Sequence, residues 1–291
     1  MGSEAPMDPK SAVVISGEEF NRFREFYYRK TGNWFEDNKR YYVDKRILAR
    51  MQATECESFR EYFVKLRFDA GGHELQALIN SMTVNETYFF REEYQFQCLV
   101  NSMLEYVVAG KSPGDPVRIW CLPCSTGEEV YTLAIYLLEY WPLVDDYDVE
   151  IIGSDIDTVA LEKARQGIYE RRAVQGVPES VRQRYFQKLP EGRWQILRSL
   201  RESVRITRVN LEDPLETRAY RSFDVIFCRN LLIYFDDAAR RRAAETLYDA
   251  LRPGGYVCLG HSEFMSRISP LFRPARFPEA IVYQKPEEET R

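Results

Sequence analysis

The chain has 291 residues, of which 45% are hydrophobic and 29% are charged, so it holds enough apolar material for more than one folded domain. Its formal net charge of −5 argues against a general nucleic-acid-binding protein, because phosphate binding needs a basic excess or a basic face. The first ten residues lack the apolar core of a signal peptide, and no segment approaches the roughly 20 apolar residues of a membrane span. We therefore expect a cytoplasmic protein without direct membrane insertion.

The first part of the chain is predicted to form a small helical domain. Between residues 16 and 68 the apolar side chains recur at helical spacing, as at Phe20, Phe23 and Tyr27. A break that contains two glycines follows, after which the helical pattern resumes. The predicted segments are an N-terminal helical domain over 13–82, whose last helix covers 73–82, and a linker and connecting helix over 83–112, with the helix at 92–108.

Short apolar runs then alternate with helical patterns, which is typical of a parallel α/β sheet. We place this α/β domain at residues 113–286. Its last strand closely follows Pro274 and Pro278 and is the candidate for an antiparallel direction. The predicted strands are 117–122, 149–154, 204–209, 223–228, 256–259 and 280–284, and the predicted helices are 129–140, 158–165 and 237–251.

Residues 167–202 are too many for an ordinary connection between a helix and a strand. They contain a helical pattern at 178–186 and a strand-like run at 194–197. We therefore predict an inserted subdomain at about 168–203. The charged tail at 287–291 is predicted to be disordered.

Polar residues follow the first two predicted strands, at the sheet edge where open α/β sheets bind ligands. The turn at 123–129 leads into a helix, and its backbone amides are placed to meet a cofactor. Asp155 ends the second strand, where an acid can accept hydrogen bonds from both hydroxyls of a ribose. The alternative for Asp155 is a helix N-cap, a role for which Asp157 or Thr158 is better placed.

The third and fourth strands end in further polar residues. Asn210, beside Leu211, is suited to reading an adenine edge, and a turn-forming asparagine is an almost equal alternative. Arg229, Asn230 and Tyr234 follow the fourth strand. Three polar groups at one rim exceed what packing alone requires.

The six cysteines are scattered, and three lie in apolar runs where a thiol behaves as a small hydrophobic group. Cys121 and Cys124 form a C-x-x-C pair, but no second pair of cysteines or histidines stands at ligand spacing. We therefore predict structural thiols in a reducing compartment and no metal site.

Five short sequence blocks follow one another between residues 85 and 263. They are Asn85-Glu-Thr-Tyr-Phe-Phe-Arg91, Ser125-Thr-Gly-Glu-Glu129, Ser154-Asp-Ile-Asp157, Cys228-Arg-Asn230 with Ile233-Tyr-Phe235, and Gly260-His-Ser-Glu263. Together they resemble the chemotaxis-receptor glutamate methyltransferases of the CheR family, and the helical N-terminal domain matches that family's layout. The resemblance implies an N-terminal helical domain followed by a Rossmann-like methyltransferase domain with a small inserted β-subdomain.

The resemblance also implies S-adenosylmethionine as cofactor, S-adenosylhomocysteine as product, and receptor glutamates as substrate. Arg91 and Tyr234 match the two positions proposed in the family to orient the substrate or assist transfer. The residues that the family's motifs place around the cofactor are Asn85, Thr87, Arg91, Glu129, Asp155, Asn210, Leu211, Arg229 and Asn230.

A glutamate substrate fits the residues available for chemistry. Its carboxylate has an ordinary pKa of about 4.3 and is ionised at neutral pH, so the enzyme needs no general base and mainly aligns the reactants and excludes water. Arg91 is suited to the target carboxylate or to the carboxylate of the cofactor. Tyr234 is either a donor to the acceptor oxygen or an aromatic plug in the wall. His261 is interpreted as a structural hydrogen-bonding residue rather than a catalyst.

The family resemblance further implies a partner, the helical bundle of methyl-accepting receptors. A basic stretch in the helical domain would suit an acidic receptor helix, and an ordinary solvated face explains the same charges equally well. Its residues are Lys39, Arg40, Lys45, Arg46 and Arg50. The turn at 187–193 has one glycine and looks shorter than the loop with which some family members hold a receptor's C-terminal peptide tether, so we predict a tether-independent enzyme.

Two other functions are compatible with parts of the sequence. A methyltransferase for RNA or a small molecule would have the same sheet. A non-catalytic module that binds the cofactor as a signal and docks on a receptor is the second. The helical domain and the block at 85–91 argue against the first, and the complete set of site residues argues against the second.

Overall fold

The computed structural model describes residues 15–287. Within these residues the chain divides into two compact units, a smaller one with residues 15–29 and 34–82 and a larger one with residues 30–33 and 83–287. Residues 13–14 of the predicted helical domain and residues 288–291 of the predicted tail lie outside the described residues. No helix within 15–287 is long and apolar enough to cross a membrane.

The smaller unit is helical. Its helices are α1 (Gly17–Thr31), α2 (Arg40–Ala53), α3 (Phe59–Phe68) and α4 (His73–Met82), with a 3-10 turn at Asp37–Lys39. Helix α3 begins where Ser58 accepts a hydrogen bond from the backbone N–H of Glu61, whose carboxylate accepts from the N–H of Glu57. The Ser58 cap satisfies a backbone donor that the first helical turn leaves without a partner, and the Glu61 carboxylate holds the residue before the cap.

A buried ion pair joins α2 to α4 inside this unit. Glu74 is 6% exposed and accepts two hydrogen bonds from the guanidinium of Arg50, at 3.0 and 2.6 Å. The hydroxyl of Tyr62 donates to the same carboxylate at 2.8 Å, and burial raises the pKa of this phenol. A buried carboxylate needs such partners, so Arg50 is part of the core of the unit.

The larger unit starts with a helical segment that is less regular than the single helix predicted at 92–108. It consists of α5 (Tyr94–Cys98), a π-helical turn (Leu99–Met103) and α6 (Leu104–Val108). The helix begins later than predicted because Glu92 has a φ of +55°, which the right-handed helix does not accommodate.

A seven-stranded sheet forms the centre of the larger unit. Its strands are β1 (Pro116–Cys121), β2 (Asp148–Asp155), β6 (Val204–Arg208), β7 (Phe223–Cys228), β8 (Leu251–Leu259), β9 (Arg273–Arg276) and β10 (Ile281–Gln284). The strand order is β6-β2-β1-β7-β8-β10-β9. The first five strands in this order are parallel and β10 pairs antiparallel with β8, so the fold is the predicted Rossmann-like α/β sheet with an antiparallel last strand.

Two features of the sheet differ from the prediction. β8 begins at Leu251 instead of residue 256, and a register shift lets β8 pair with β7 from Phe223 onward despite its Pro-Gly-Gly segment. β9 was not predicted, because Arg273-Pro-Ala-Arg276 lacks an apolar pattern. As an edge strand it tolerates its proline.

The helices α7 (Glu128–Tyr140), α8 (Thr158–Gln166), α11 (Pro214–Thr217) and α12 (Asp237–Ala250) connect these strands. The middle strands are buried on both faces, as expected for a parallel sheet. Trp120 donates to the Ser154 hydroxyl at 2.8 Å, and Ser154 shares a hydrogen bond with Thr207. This buried contact links β1, β2 and β6 just below the edge where their carboxyl ends meet.

The insertion between α8 and β6 folds as a small three-stranded antiparallel sheet. Its elements are β3 (Ile168–Tyr169), α9 (Glu179–Tyr185), β4 (Phe186–Lys188), β5 (Trp194–Ile196) and α10 (Arg198–Glu202), and the strand order is β3-β5-β4. The predicted helix and the strand-like run correspond to α9 and β5. Phe186 was predicted to end the helix but starts β4, and neither β4 nor β3 is long enough to show a periodic pattern.

Candidate active site

The turn after β1 is tight and is held from several sides. Ser125 has a φ of +48° and Gly127 a φ of +96°. A Cβ atom at Gly127 would lie 3.0 Å from atoms of Tyr131, Ala164 and Tyr169, so this position requires glycine for both space and conformation. The turn leads directly into α7.

Asp155, the candidate ribose ligand at the end of β2, faces this turn. Its carboxylate accepts from the backbone N–H of Ser125 at 2.8 Å and from that of Asp157 at 2.9 Å. Burial raises the pKa of Asp155 to about 6, against the opposing effect of these two hydrogen bonds. A carboxylate has about four acceptor positions, so Asp155 keeps acceptor capacity for a ligand.

The N-cap of α8 is Asp157 rather than Asp155. The Asp157 carboxylate accepts from the N–H groups of Val159 and Ala160 at 2.9 and 3.0 Å. This arrangement removes the structural alternative that the sequence left open for Asp155.

Asn85 connects the segment before α5 to both of these turns. Its side-chain amide donates to Asp157 at 2.8 Å and accepts from the Ser125 hydroxyl at 2.8 Å. The hydroxyl of Thr83 also donates to Asp157. Thr87 lies further along the same segment and is partly exposed. The structure thus brings Asn85, Ser125 and Asp157 together around the carboxyl ends of β1 and β2.

Arg229 is buried at the end of β7, 3% exposed, and its guanidinium is engaged within the protein. It donates to Glu129 at 2.7 Å and to the backbone carbonyl of Arg91 at 2.7 Å, and it forms an ion pair with Glu92 at 3.2 Å. Burial lowers the pKa of Arg229, but the charges of Glu129 and Glu92 outweigh this effect and hold the pKa above its usual value. The predicted cofactor residues Arg229 and Glu129 are therefore paired with each other.

Arg91 itself stands between two residues in the left-handed region, Phe90 with a φ of +63° and Glu92 with a φ of +55°. Such backbone is uncommon outside glycine and concentrates at functional sites. The Arg91 guanidinium donates to the backbone carbonyl of Glu86 at 2.8 Å and lies 5.8 Å from the centre of the Tyr88 ring.

Tyr234, the second predicted substrate-orienting residue, ends a 3-10 turn at Leu232–Tyr234 and is 39% exposed. Burial of part of the ring raises the pKa of Tyr234, and the positive charge of Arg91 opposes this rise. Arg91 and Tyr234 are therefore within electrostatic reach of one another, although they are more than 140 residues apart in the sequence.

The Asn210 side chain forms the turn that the sequence offered as its alternative role. Its Oδ1 accepts from the N–H of Glu212 at 3.1 Å, and its Nδ2 donates to the carbonyl of Lys30 at 2.6 Å. These two bonds use one of the two N–H donors and one of the two acceptor positions of the amide, so the turn does not exclude a contact with adenine. Leu211 beside it is 5% exposed.

Sequence reasoning did not single out several residues that hold the site together. Glu92 accepts from Arg229 and lies 3.0 Å from Nδ1 of His261, which gives this histidine a structural hydrogen bond. Glu263 accepts from backbone N–H groups after β7 and β8. Both acids lie in the quoted sequence blocks or next to them, but apart from Gly260 the partners named here are 30 or more residues away.

The C-x-x-C cysteines are buried thiols. Cys121 donates weakly to Glu129, with 3.3 Å between Sγ and Oε1, and burial raises the pKa of both Cys121 and Cys124. Over residues 15–287 there is no group of three or more metal-ligating side chains arranged to hold a metal ion.

The basic residues of the smaller unit divide into two groups. Arg40 contacts Asp44 and the carbonyl of Ile15, and Arg46 donates to the carbonyl of Ser81 at 2.7 Å. Arg50 is in the buried pair described above. Lys39 and Lys45 are exposed and form no ion pair within the described part of the chain.

Comparison with known proteins gives consistent matches along the chain. The all-alpha domain of CheR methyltransferases matches residues 18–83, and their SAM binding domain matches residues 85–281. A "Chemotaxis protein methyltransferase 2" of Vibrio cholerae is 52% identical over 274 residues, covering 94% of this chain and 95% of the relative. A protein of the same name in Pseudomonas aeruginosa is 35% identical over 259 residues, covering 88% of this chain and 90% of the relative.

Proposed function

The chain belongs to the CheR methyltransferase family, and on this premise we propose that it transfers methyl groups from S-adenosylmethionine to glutamate side chains of methyl-accepting chemotaxis receptors. The products are glutamate methyl esters and S-adenosylhomocysteine. The observation that carries the proposal is the match of both family domains to this chain. Asp155, Arg91 and Tyr234 all lie in the larger unit, which the SAM binding domain matches.

The residues at the sheet edge fit a nucleoside cofactor that also carries an amino acid. Asp155 has free acceptor positions suited to ribose hydroxyls, and the Arg91 guanidinium is suited to a carboxylate. The cofactor, when bound, supplies an electrophilic methyl group on a positively charged sulfur. The family's motifs add Asn85, Thr87, Glu129, Asn210, Leu211, Arg229 and Asn230 to its surroundings.

We assign different tasks within this set. Asn85 contacts both turns and orders them around Asp155. Arg229, which is paired with Glu129, donates to the backbone carbonyl of Arg91 and holds this backbone in place. These three residues therefore shape the cofactor site through their protein contacts. Asp155 and the guanidinium of Arg91 are the groups we expect to contact ligand.

The acceptor glutamate is ionised at neutral pH, so transfer needs alignment rather than a base. The phenol of Tyr234 is protonated at that pH, since the ordinary pKa of a tyrosine is about 10 and burial raises it further, so Tyr234 can donate a hydrogen bond to the acceptor carboxylate. The Arg91 charge attracts the same carboxylate. Together these two groups would hold one carboxylate oxygen toward the methyl carbon and limit the water around it.

The receptor's cytoplasmic helical bundle is the proposed partner, and recruitment to receptor arrays in the cytoplasm follows from it. Among the predicted docking residues Lys39 and Lys45 are exposed, so they are the cations best placed to meet an acidic helix. Arg40, Arg46 and Arg50 have partners inside their own unit and contribute less.

We further propose that the enzyme acts without a receptor tether. The β4–β5 hairpin closes through a short turn, in which the N–H of Leu189 donates to the carbonyl of Arg193 at 2.8 Å and Gly192 is the single glycine. Such a compact turn leaves little adaptable backbone for an added peptide. Calorimetry with a receptor C-terminal pentapeptide should detect no low-micromolar binding, and a clear low-micromolar Kd would contradict tether independence.

The main experiment is transfer of a radiolabelled methyl group to receptor cytoplasmic fragments. The expected product is a labelled receptor that releases its label in base, as methyl esters do. Base-stable label on RNA would favour a different substrate class. Binding of S-adenosylhomocysteine without transfer to any receptor fragment would favour a non-catalytic module.

A further inference from the structure

Glu263 is a buried acid, 6% exposed, that has no role so far in cofactor binding or in methyl transfer. Its carboxylate accepts hydrogen bonds from three backbone N–H groups. Oε2 accepts from Asn230 at 2.7 Å and from Gly260 at 2.8 Å, and Oε1 accepts from Ile233 at 3.2 Å. Only a carboxylate offers acceptors on both oxygens with no donor of its own.

These three donors belong to the two chain segments that leave β7 and β8. Asn230 follows β7 by two residues and has a φ of +58°, a left-handed conformation that asparagine tolerates better than most residues. Ile233 lies within the 3-10 turn that ends at Tyr234. The carboxylate of Glu263 thus fixes both ends of the short loop that presents the Tyr234 phenol.

Gly260 leaves room for this arrangement. A Cβ atom there would lie 2.8 Å from Oε2 of Glu263 and 2.7 Å from the side-chain nitrogen of Asn230, which is closer than real Cβ contacts. The glycine, the acid and the left-handed Asn230 therefore form one close-packed unit.

We propose that Glu263 is a positioning residue for methyl transfer, which sets the place of the Tyr234 phenol through the backbone of residues 230–234. This inference rests on the proposed function, since it assigns Tyr234 the task of holding the acceptor carboxylate. Glu263 itself is buried behind the loop and acts through Tyr234.

Glu263→Gln tests the proposal, because it keeps the shape and removes one acceptor. The amide oxygen can still serve the pair of donors from Asn230 and Gly260, which leaves the amide NH₂ facing the N–H of Ile233. The loss should therefore fall on the turn that carries Tyr234. We expect kcat/KM for receptor methylation to fall on the order of tenfold or more, as for loss of a hydrogen bond to a charged group, while the Kd for S-adenosylhomocysteine in calorimetry changes less than about threefold.

A double-mutant cycle with Tyr234→Phe separates positioning from general damage. If Glu263 acts through Tyr234, the double variant should be no worse than the more impaired single variant. Glu139→Gln is the control, since its side chain is another acid of low exposure (8%) in the same unit, but it is held by Arg184 and the Tyr185 hydroxyl near the end of α7, away from the turn that presents Tyr234. It should leave kcat/KM unchanged.

Gly260→Ala gives an independent route to the same displacement, should Glu263→Gln fold poorly. Its Cβ atom would displace both the Glu263 carboxylate and the Asn230 side chain, so kcat/KM for receptor methylation should fall, and the Kd for S-adenosylhomocysteine measures the part of the loss that passes through Asn230. Wild-type kcat/KM in Glu263→Gln, or multiplied losses in the double variant, would overturn the proposal, and so would equal losses of binding and transfer. Failure of the proposed function is a separate result, because the wild-type protein would then label no receptor fragment.

Discussion

The single-residue features that carry most chemical information are the buried ionised groups at the sheet edge. Asp155 and Arg229 are both almost fully buried, yet they differ in what surrounds them. Asp155 receives only backbone N–H groups, whereas Arg229 faces two carboxylates. The acid is therefore sensitive to pH near neutrality, and the arginine stays charged.

We predict that affinity for S-adenosylhomocysteine depends on pH through Asp155. Burial raises the pKa of Asp155 to about 6, so the carboxylate is largely ionised at pH 7.5 and largely protonated at pH 5. Protonation removes acceptor capacity that ribose hydroxyls use. Isothermal calorimetry should show affinity falling up to about tenfold between these pH values, and Asp155→Asn should bind weakly with a flat profile. An unchanged affinity in the wild-type protein would contradict the ribose role.

Arg229→Leu should destabilise the larger unit by about 3–5 kcal/mol, because it leaves the buried carboxylates of Glu92 and Glu129 without their cation. Urea unfolding followed by circular dichroism measures this loss. Arg198→Leu is the matched control, since the Arg198–Glu202 pair is exposed on both sides and its loss should leave the unfolding free energy almost unchanged. Similar small changes in the unfolding free energy of both variants would show that Arg229 does not stabilise the larger unit.

The sequence predicted which polar residues follow the ends of the strands, but not which residues they would pair with. Asp155, Arg229 and Tyr234 were recognised because carboxyl ends of parallel strands share an edge. The partners Glu92 and Glu263 were not, since a hydrogen bond from Arg229 to a residue more than 130 positions earlier leaves no local pattern. The turn formed by Asn210 was one of its two predicted roles, whereas its contact with Lys30, 180 residues earlier, had no local signal.

At the scale of elements, long periodic segments were predictable and short ones were not. Helices α7 and α12 and strand β7 match their predicted positions to within one residue. Strands β3 and β4 have two and three residues, too few to show alternation, and their pairing with β5 decides their conformation. Tertiary contacts, rather than local propensity, determine such elements.

Helix α2 is the element on which the docking proposal can be tested. Lys45→Glu should lower kcat/KM for receptor fragments several-fold at low ionic strength, because it reverses an exposed charge facing an acidic partner. The effect should shrink as salt screens the interaction. Arg241→Glu on α12, another exposed cation, should have no comparable effect. If both variants respond equally, net charge rather than a docking surface explains the loss.

At the scale of the whole molecule, the two compact units have different tasks in the proposed reaction. Cofactor contacts are all assigned to the larger unit, and receptor docking to the smaller one. Each unit also has its own buried ion pair, Arg50–Glu74 in one and Arg229–Glu129 in the other.

Hydrogen exchange should report this separation of tasks. Addition of S-adenosylhomocysteine should slow exchange in residues 123–127 and 155–157, because the ligand stabilises the conformation that it binds. Exchange in α2 and α3 should stay as it was. Protection that appears in α3 and is absent from the turn after β1 would contradict the assigned cofactor site.

The two outermost strands of the large sheet have a consequence for behaviour at high concentration. β6 exposes Arg205 and Arg208, and β9 carries two arginines around Pro274. Charged side chains and proline at a sheet edge discourage strand pairing between copies. The edges of the sheet should therefore resist strand pairing between copies even when the protein is concentrated.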